Sequence, residues 1–364
     1  MDSKMKIKTK KRILFALIVV LTIFLGFRDI GLDLEPYRLM FNNLNVTSFK
    51  ELISINLFSD KLEPFFVFLI SMLKEFGLGF NWFLLISGGI PLLLIFRLIK
   101  EREEKEIFTV FLFFLLLQFF RGPVTIIRGF FAATIYLSAL SSLSKNSNLK
   151  FWFKSIFSVF FHYSSIVILF IRPFLSVKWT KSKYFISFAF VTIVGYLVKL
   201  LIMSLSIQDF LTFNNPIIWK LGYYLIYYNT QGYQYTGIVH RILLSIMSYF
   251  PLIFNVIFII LGLNKSKLID KDNFIRLLLN SQIIGSLVAV FFIVLNASTL
   301  GLRVNFLLSV GNFILMKDII FIYYKNSKRM LFTFTVFSLI FYNFVIILYF
   351  AGIHDPNSPF YLSY

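Results

Sequence analysis

This chain reads as an all-α, polytopic integral membrane protein, and three observations require it. Of its 364 residues 58% are hydrophobic and only 15% charged, with a mean hydropathy of +0.81. A soluble domain carries about 25% charged residues. Apolar runs at Ile13–Phe27, Ile107–Phe120, Tyr184–Ile207, Ile242–Leu261, Val304–Tyr324 and Leu331–Phe350 approach the roughly 17–25 residues that cross a bilayer. The basic residues, finally, fall in clusters between apolar segments. With the shorter segments included, the pattern predicts about 10–12 transmembrane or re-entrant helices. No internal repeat or low-complexity linker divides the chain, so residues 1–364 are expected to form one transmembrane domain.

Lys and Arg in short loops mark the cytoplasmic side. The N-terminus carries Lys4, Lys6, Lys8, Lys10, Lys11 and Arg12, and no small-residue cleavage site lies between Ile13–Phe27 and Arg28. That segment therefore reads as a retained anchor rather than a removed signal. Further clusters lie at Arg97–Lys105, Lys145–Lys154, Arg172–Lys183, Lys265–Arg276 and Lys317–Arg329. With all six inside, they hold 25 of the 36 basic residues. The net charge of +19 is thus mostly topology, and a nucleic-acid surface, which needs a folded basic face, is excluded.

Parity adds what hydropathy cannot. Between the first two clusters an even number of segments must cross, and Pro64–Phe76 is the shortest of three, ending in Lys74 and Glu75. It is expected to lie at the outer interface or to re-enter, while Ile13–Phe27 and Phe80–Phe96 cross. The same count between Lys145–Lys154 and Arg172–Lys183 favours a hairpin with His162-Tyr163-Ser164-Ser165 at its tip, over one ordinary span containing a His. Two polar stretches, about residues 28–63 and 208–240, then fall on the periplasmic side. Loops beyond about 12–15 residues are usually functional or disordered, and the aromatic content of these two argues for folding over the outer mouth. Their tyrosines suit either sugar stacking or an interfacial belt.

Arginine at outer helix ends runs against the positive-inside trend. Arg28, Arg121, Arg128 and Arg303 all sit there, each with a planar fork that suits phosphate oxygens; the alternative is snorkelling to lipid. Gly122-Pro123 should place Arg128 on a loop-to-helix corner, where helix N-termini favour anions. Asp33 and Glu35 are general-base or hydroxyl-binding candidates. Glu63-Pro64 should open a helix, since Pro suits its first position, with Glu63 serving as a cap, an ion-pair partner or a functional group. His162, His240 and His354 are too dispersed for a metal site, and the absence of Cys removes thiolate ligands and nucleophiles. No metal or cofactor is therefore expected. Without a Walker loop, a Rossmann fingerprint or a Gly-x-Ser-x-Gly elbow, nucleotide-driven chemistry is not expected either.

Five stretches in order resemble one family. Gly31-x-Asp33-x-x-x-Tyr37-x-x-x-Phe41 resembles the early extracytoplasmic segment of the EpsG-like, Wzy-type polysaccharide polymerases. Glu63-Pro64-Phe65-Phe66 is similar to their Glu-Pro-Gly-Phe segment, with Phe65 in place of Gly. Ile127-Arg128-Gly129-Phe130-Phe131-Ala132 is similar to Ile-Arg-Gln-x-x-Ala, with Gly129 in place of Gln. Phe161-His162-Tyr163-Ser164 matches Phe-His-Tyr-Ser, and Leu302-Arg303-Val304-Asn305-Phe306 resembles the late Arg before an aromatic.

The resemblance implies a GT-C-like membrane glycosyltransferase in the bacterial inner membrane. Its expected substrate is an undecaprenyl-diphosphate-linked oligosaccharide, joined repeat by repeat into O-antigen or capsular polysaccharide at the outer face. A flippase and a chain-length regulator are the implied partners, beside membrane lipid. The expected catalytic residues are Arg128, Arg303, Asp33 and His162, with Arg28, Arg121, Tyr37, Glu63 and Arg241 binding substrate. Polyprenyl diphosphate is its own leaving group, so no nucleotide is needed. An O-antigen ligase-type transferase would use the same anion cavity. A lipid-linked oligosaccharide flippase is the reading from another class, though transporters tend to show inverted repeats.

Overall fold

The computed structural model describes residues 6–29, 31, 34–44, 63–102, 106–204, 238–325 and 329–350, and every element among them is helical. The chain forms two compact units, the first built from residues 1–170 with 310–318, the second from 171–309 with 319–364.

The first unit starts with α1 (Ile7–Phe27) and α2 (Leu34–Asn43). Next come α3 (Pro64–Glu75), α4 (Phe80–Arg102) and α5 (Ile107–Phe114), the last running into a π-helical stretch over Leu115–Thr125. Then come α6 (Ile127–Ser144), α7 (Asn148–Phe161) and the short α8 (Val167–Ile171).

Helices α1 and α4 run antiparallel. A Cβ on Gly88 would stand 2.7 Å from Leu25, one on Gly89 2.6 Å from Thr22, and one on Gly26 3.1 Å from Leu85, while Phe15 meets Phe96 at the other end, 5.5 Å between ring centroids. Small residues let the two backbones approach, as they do between membrane helices. The start of α1 and the end of α4 therefore lie together at one end of the unit. α3 is only 12 residues long, about 18 Å at 1.5 Å per residue. That is too short to span.

Helices α6 and α7 form a second antiparallel pair around the turn Lys145-Asn146-Ser147, where Asn146 takes φ 58°. Phe131 stacks on Phe161 at 4.2 Å, and Lys154 reaches back to Ser138 and Ser142. At the closed end of this hairpin Lys145 pairs with Glu101 at 3.2 Å and Arg102 with Ser144. Glu106 and Lys317 pair at 3.2 Å. Clusters widely separated in sequence thus gather at one end of the unit.

The second unit contains α9 (Lys181–Ser204), α10 (Ile238–Asn264), α11 (Ser266–Ile269), α12 (Asn273–Val294) and α13 (Ser298–Leu308). It also holds the later part of α14 (Asn312–Lys325) and all of α15 (Arg329–Phe350). Asp272 caps α12 by accepting from the backbone N–H groups of Phe274 and Ile275, the favoured use of Asp at that position. Ser281 donates to the Leu308 carbonyl at 2.6 Å, and a Cβ on Gly301 would stand 2.7 Å from the Ala289 carbonyl oxygen, so α12 and α13 pack backbone to backbone. Phe250 stacks on Tyr342 at 4.9 Å, tying α10 to α15.

Among the described residues, five helical stretches are long and apolar enough to cross a membrane: Phe80–Arg102, Ile107–Thr125, Lys181–Leu201, Ser245–Asn264 and Asn273–Val294. α9 leaves Phe185, Ile186, Phe190, Ile193, Leu197 and Leu201 exposed, a continuous apolar surface of the kind a membrane covers. The protein is a multi-pass membrane protein. In one place the architecture departs from the apolar pattern. The run Val304–Tyr324 is two helices, α13 and α14, broken at Ser309–Gly311; joined, they would count as a sixth span. The break sits among apolar neighbours, so hydropathy does not register it.

Candidate active site

At the end of the first unit opposite the lysine clusters, four side chains from four helices meet. Glu63 stands at the N-cap of α3, with Pro64 at the first helical position. Its carboxylate does not cap its own helix. One oxygen, Oε2, accepts from Nη1 of Arg128 at 2.5 Å, while Oε1 lies 3.0 Å from Nδ1 of His162. The Nε of Arg128 donates to the Tyr37 hydroxyl at 2.9 Å, and its guanidinium carbon lies 5.4 Å from the centre of that ring. Glu63 is 3% exposed and Arg128 21%.

Local sequence explains each placement. After the π-helical stretch the backbone turns at Ile126 (φ −118°, ψ 63°), so Arg128 falls in the first turn of α6, on the corner that Gly122-Pro123 led one to expect. A cation there opposes the helix dipole, and the Glu63 carboxylate offsets it. π-helical segments are rare and concentrate at functional sites; here the Thr125 hydroxyl also donates to the Phe120 carbonyl at 2.7 Å. His162 ends α7 in an extended conformation (φ −159°, ψ 119°), before a 3₁₀ turn over Tyr163–Ile166. The helix is therefore interrupted at the Phe-His-Tyr-Ser stretch.

Tyr37 lies on α2, which is docked by Lys74 of α3 donating to the Asn42 and Leu44 carbonyls at 3.1 and 2.7 Å. Cations at the last carbonyls of a helix are favourable, and this accounts for a lysine in an otherwise apolar segment. Beneath the cluster is an aromatic floor. Phe65 stacks on Phe161 at 3.9 Å and lies 5.6 Å from Phe131, and Tyr37 and Phe66 both contact Phe83, at 5.9 and 6.0 Å. Phe65, in the place of a glycine, therefore fills space against the neighbouring hairpin.

An ionised carboxylate has no proton to give, so Nδ1 of His162 carries the hydrogen and donates it to Glu63. In a neutral imidazole that leaves the lone pair on Nε2, the arrangement by which a carboxylate orients a histidine base. In the same cluster Arg128 offers a guanidinium held at two of its nitrogens. A base and a cation oriented by one carboxylate can deprotonate a hydroxyl beside a departing anion.

Arg28 directly follows α1 and is 5% exposed, and Arg121, within the π-helical stretch, is 9% exposed; neither snorkels to lipid. A Cβ on Gly31 would stand 2.5 Å from the Val124 carbonyl oxygen and 3.7 Å from Nε of Arg28, which places Arg28 beside the stretch that carries Arg121. Arg303 lies on α13 in the second unit, half-buried. Asp33 falls outside the described residues, as do most of residues 28–63 and 208–240, and Arg241 lies on α10 with its side chain outside them. Among the described residues no group of three or more metal-binding side chains occurs.

The sequence alone offers Glu63 several roles and does not pair it with His162. A signal was present. Glu is a poor N-cap beside Ser, Thr, Asp or Asn, so Glu directly before a helix-opening Pro points to another use of its side chain.

No curated protein and no solved structure matches the chain. The EpsG family matches residues 11–363, nearly its whole length. With four of the five family-like stretches represented in one polar cluster and its aromatic floor, and with the match unbroken from α1 onward, this chain belongs to the EpsG family.

Proposed function

We propose that this protein is a polymerase of lipid-linked oligosaccharides, acting at the outer face of the bacterial inner membrane with a GT-C-like architecture. The observation that carries the reading is the Glu63 carboxylate shared between Arg128 and His162. In the reaction the bond between the anomeric carbon and the diphosphate oxygen breaks, and a bond from that carbon to an acceptor hydroxyl oxygen forms. The hydroxyl proton passes to Nε2 of His162, whose imidazolium is stabilised by Glu63. The electron pair of the broken bond leaves with the polyprenyl diphosphate, against the guanidinium of Arg128.

Preorganised donors of this kind are worth roughly 10²–10³ in rate each. Arg28 and Arg121 are proposed to add cationic character for the diphosphate, with Tyr37 holding Arg128, and Arg303 is proposed separately as a cationic contact to the lipid-linked substrate. Asp33 and Arg241 are proposed to contact acceptor or donor sugar. Growing polysaccharide, of O-antigen or capsular type, is the product, and a flippase delivering the substrate and a chain-length regulator are the proposed partners.

The test is reconstitution in liposomes with a polyprenyl-diphosphate oligosaccharide on the outward-facing leaflet. A polymerase yields a ladder of products and free polyprenyl diphosphate. A flippase relocates the lipid without a new glycosidic bond, and a ligase transfers a single chain to a different acceptor. Relocation without polymer from wild type would overturn the proposal.

A further inference from the structure

At the closed end of the α6–α7 hairpin lies a cavity of about 320 Å³, separate from the Glu63 cluster. Arg128 and Ser142 are fourteen residues apart on α6, about 21 Å at the helical rise. Arg97, Lys145, Lys150 and Lys154 line the cavity, and Glu101 is its only carboxylate among the described residues. Glu101 is already held by Arg97 at 2.9 Å and by Lys145 at 3.2 Å. The half-buried Lys154 turns its ammonium onto neutral oxygens alone, the Ser138 hydroxyl at 2.7 Å, the Ser142 hydroxyl at 2.9 Å and the Ser138 carbonyl at 3.2 Å. Ser141, Ser147 and Thr134 add hydroxyls to the wall.

We infer that this cavity binds a phosphate-bearing ligand, taken up from the end of the unit where the basic clusters gather. Four cations against one carboxylate leave an excess of three positive charges around a space at the lower end of the range for small-molecule sites, about 300–1,000 Å³. A group of two or more phosphoryl oxygens takes the Lys154 ammonium and the serine hydroxyls together, and it relieves the mutual repulsion of the four cations. Partial burial and the neighbouring Arg97 and Lys150 push the Lys154 ammonium below its ordinary pKa, and the Glu101 carboxylate offsets them only in part. Two sources share this chemistry: the headgroup of an anionic phospholipid, and a soluble phosphate or diphosphate ester.

The purified full-length protein in detergent distinguishes them. Calorimetric titration with inorganic pyrophosphate probes the soluble source, and native mass spectrometry after titration with phosphatidylglycerol, against phosphatidylcholine, probes the lipid. Lys154→Gln is expected to weaken the responding probe about tenfold or more, the usual consequence of removing one charged donor. Lys150→Gln, on an exposed side chain, provides the same comparison if the first variant folds poorly. The difference between wild type and these variants isolates the cavity from the outer cluster, so failure here is separable from failure of the polymerase reading. Binding of pyrophosphate alone assigns a soluble ligand, and binding of phosphatidylglycerol alone assigns the headgroup. Equal affinity of both probes for wild type and both variants overturns the inference.

Discussion

The Nδ1 of His162 lies 3.0 Å from the carboxylate of Glu63, ninety-nine positions earlier in the chain. The same carboxylate grips Arg128, sixty-five positions later. One buried acid therefore sets the orientation of both the proposed base and the proposed leaving-group cation.

Glu63→Gln keeps the shape of the side chain and removes its charge. A lone amide leaves Arg128 without its counter-ion in a largely buried place, and breaking such a pair costs about 3 kcal/mol or more. Thermal unfolding of the purified protein should register the loss. Combining it with Arg128→Gln should cost less than the sum of the two single changes, because each removes the same interaction. Strict additivity would show that the pair is not energetically coupled.

Arg128→Lys retains the charge and loses the fork. A lysine ammonium cannot serve Tyr37 and Glu63 in the geometry that the guanidinium uses. Polymer formation should drop about a hundredfold, with single repeat units accumulating on the lipid. Unchanged product ladders from this variant and from Arg128→Ala would remove Arg128 from the site.

His162→Gln retains a hydrogen-bond donor for Glu63 and discards the base. Loss of polymerisation with little change in unfolding temperature is the expected pattern. A stability loss matching that of Glu63→Gln, with polymerisation intact, would instead make His162 a packing residue.

Tyr37→Phe preserves the ring over which the guanidinium lies and its packing on Phe83. Only the oxygen that accepts from Arg128 disappears. A loss of about 1 kcal/mol in stability and a partial fall in polymer yield are expected. A fall as deep as that of Arg128→Ala would mean that Tyr37 contacts substrate itself.

Gly31→Ala should be more damaging than its loop position suggests. The residue takes φ +142°, and an added Cβ would stand 2.5 Å from the Val124 carbonyl oxygen. Backbone strain of this kind costs about 1–3 kcal/mol. Reduced yield of folded protein, measured by size-exclusion chromatography in detergent, is the readout.

Much of this was legible in the sequence, for identifiable reasons. Apolar length and basic clusters are local properties, and they mark the membrane class and the short α3. Glu63-Pro64, Gly122-Pro123 and the Phe-His-Tyr-Ser stretch are backbone signals, and each marks a helix end or break within a few residues. What the sequence did not give is partnership. The bonds of Glu63 span separations over which no periodicity operates. That Phe65 would lie on Phe161 depends on how two helices cross. The break at Ser309–Gly311 was hidden because its flanks are as apolar as a continuous span.

The close fit of α1 against α4 bears on how the protein can be produced. Replacing the first 27 residues with a cleavable export leader would strip away Thr22 and Leu25, the side chains that seat on Gly88 and Gly89. The groove so uncovered has little of its own to offer acyl chains, and the start of α4, which carries the Phe83 support under Tyr37, would lose its brace. Affinity tags belong ahead of the native N-terminal helix, with that helix left whole.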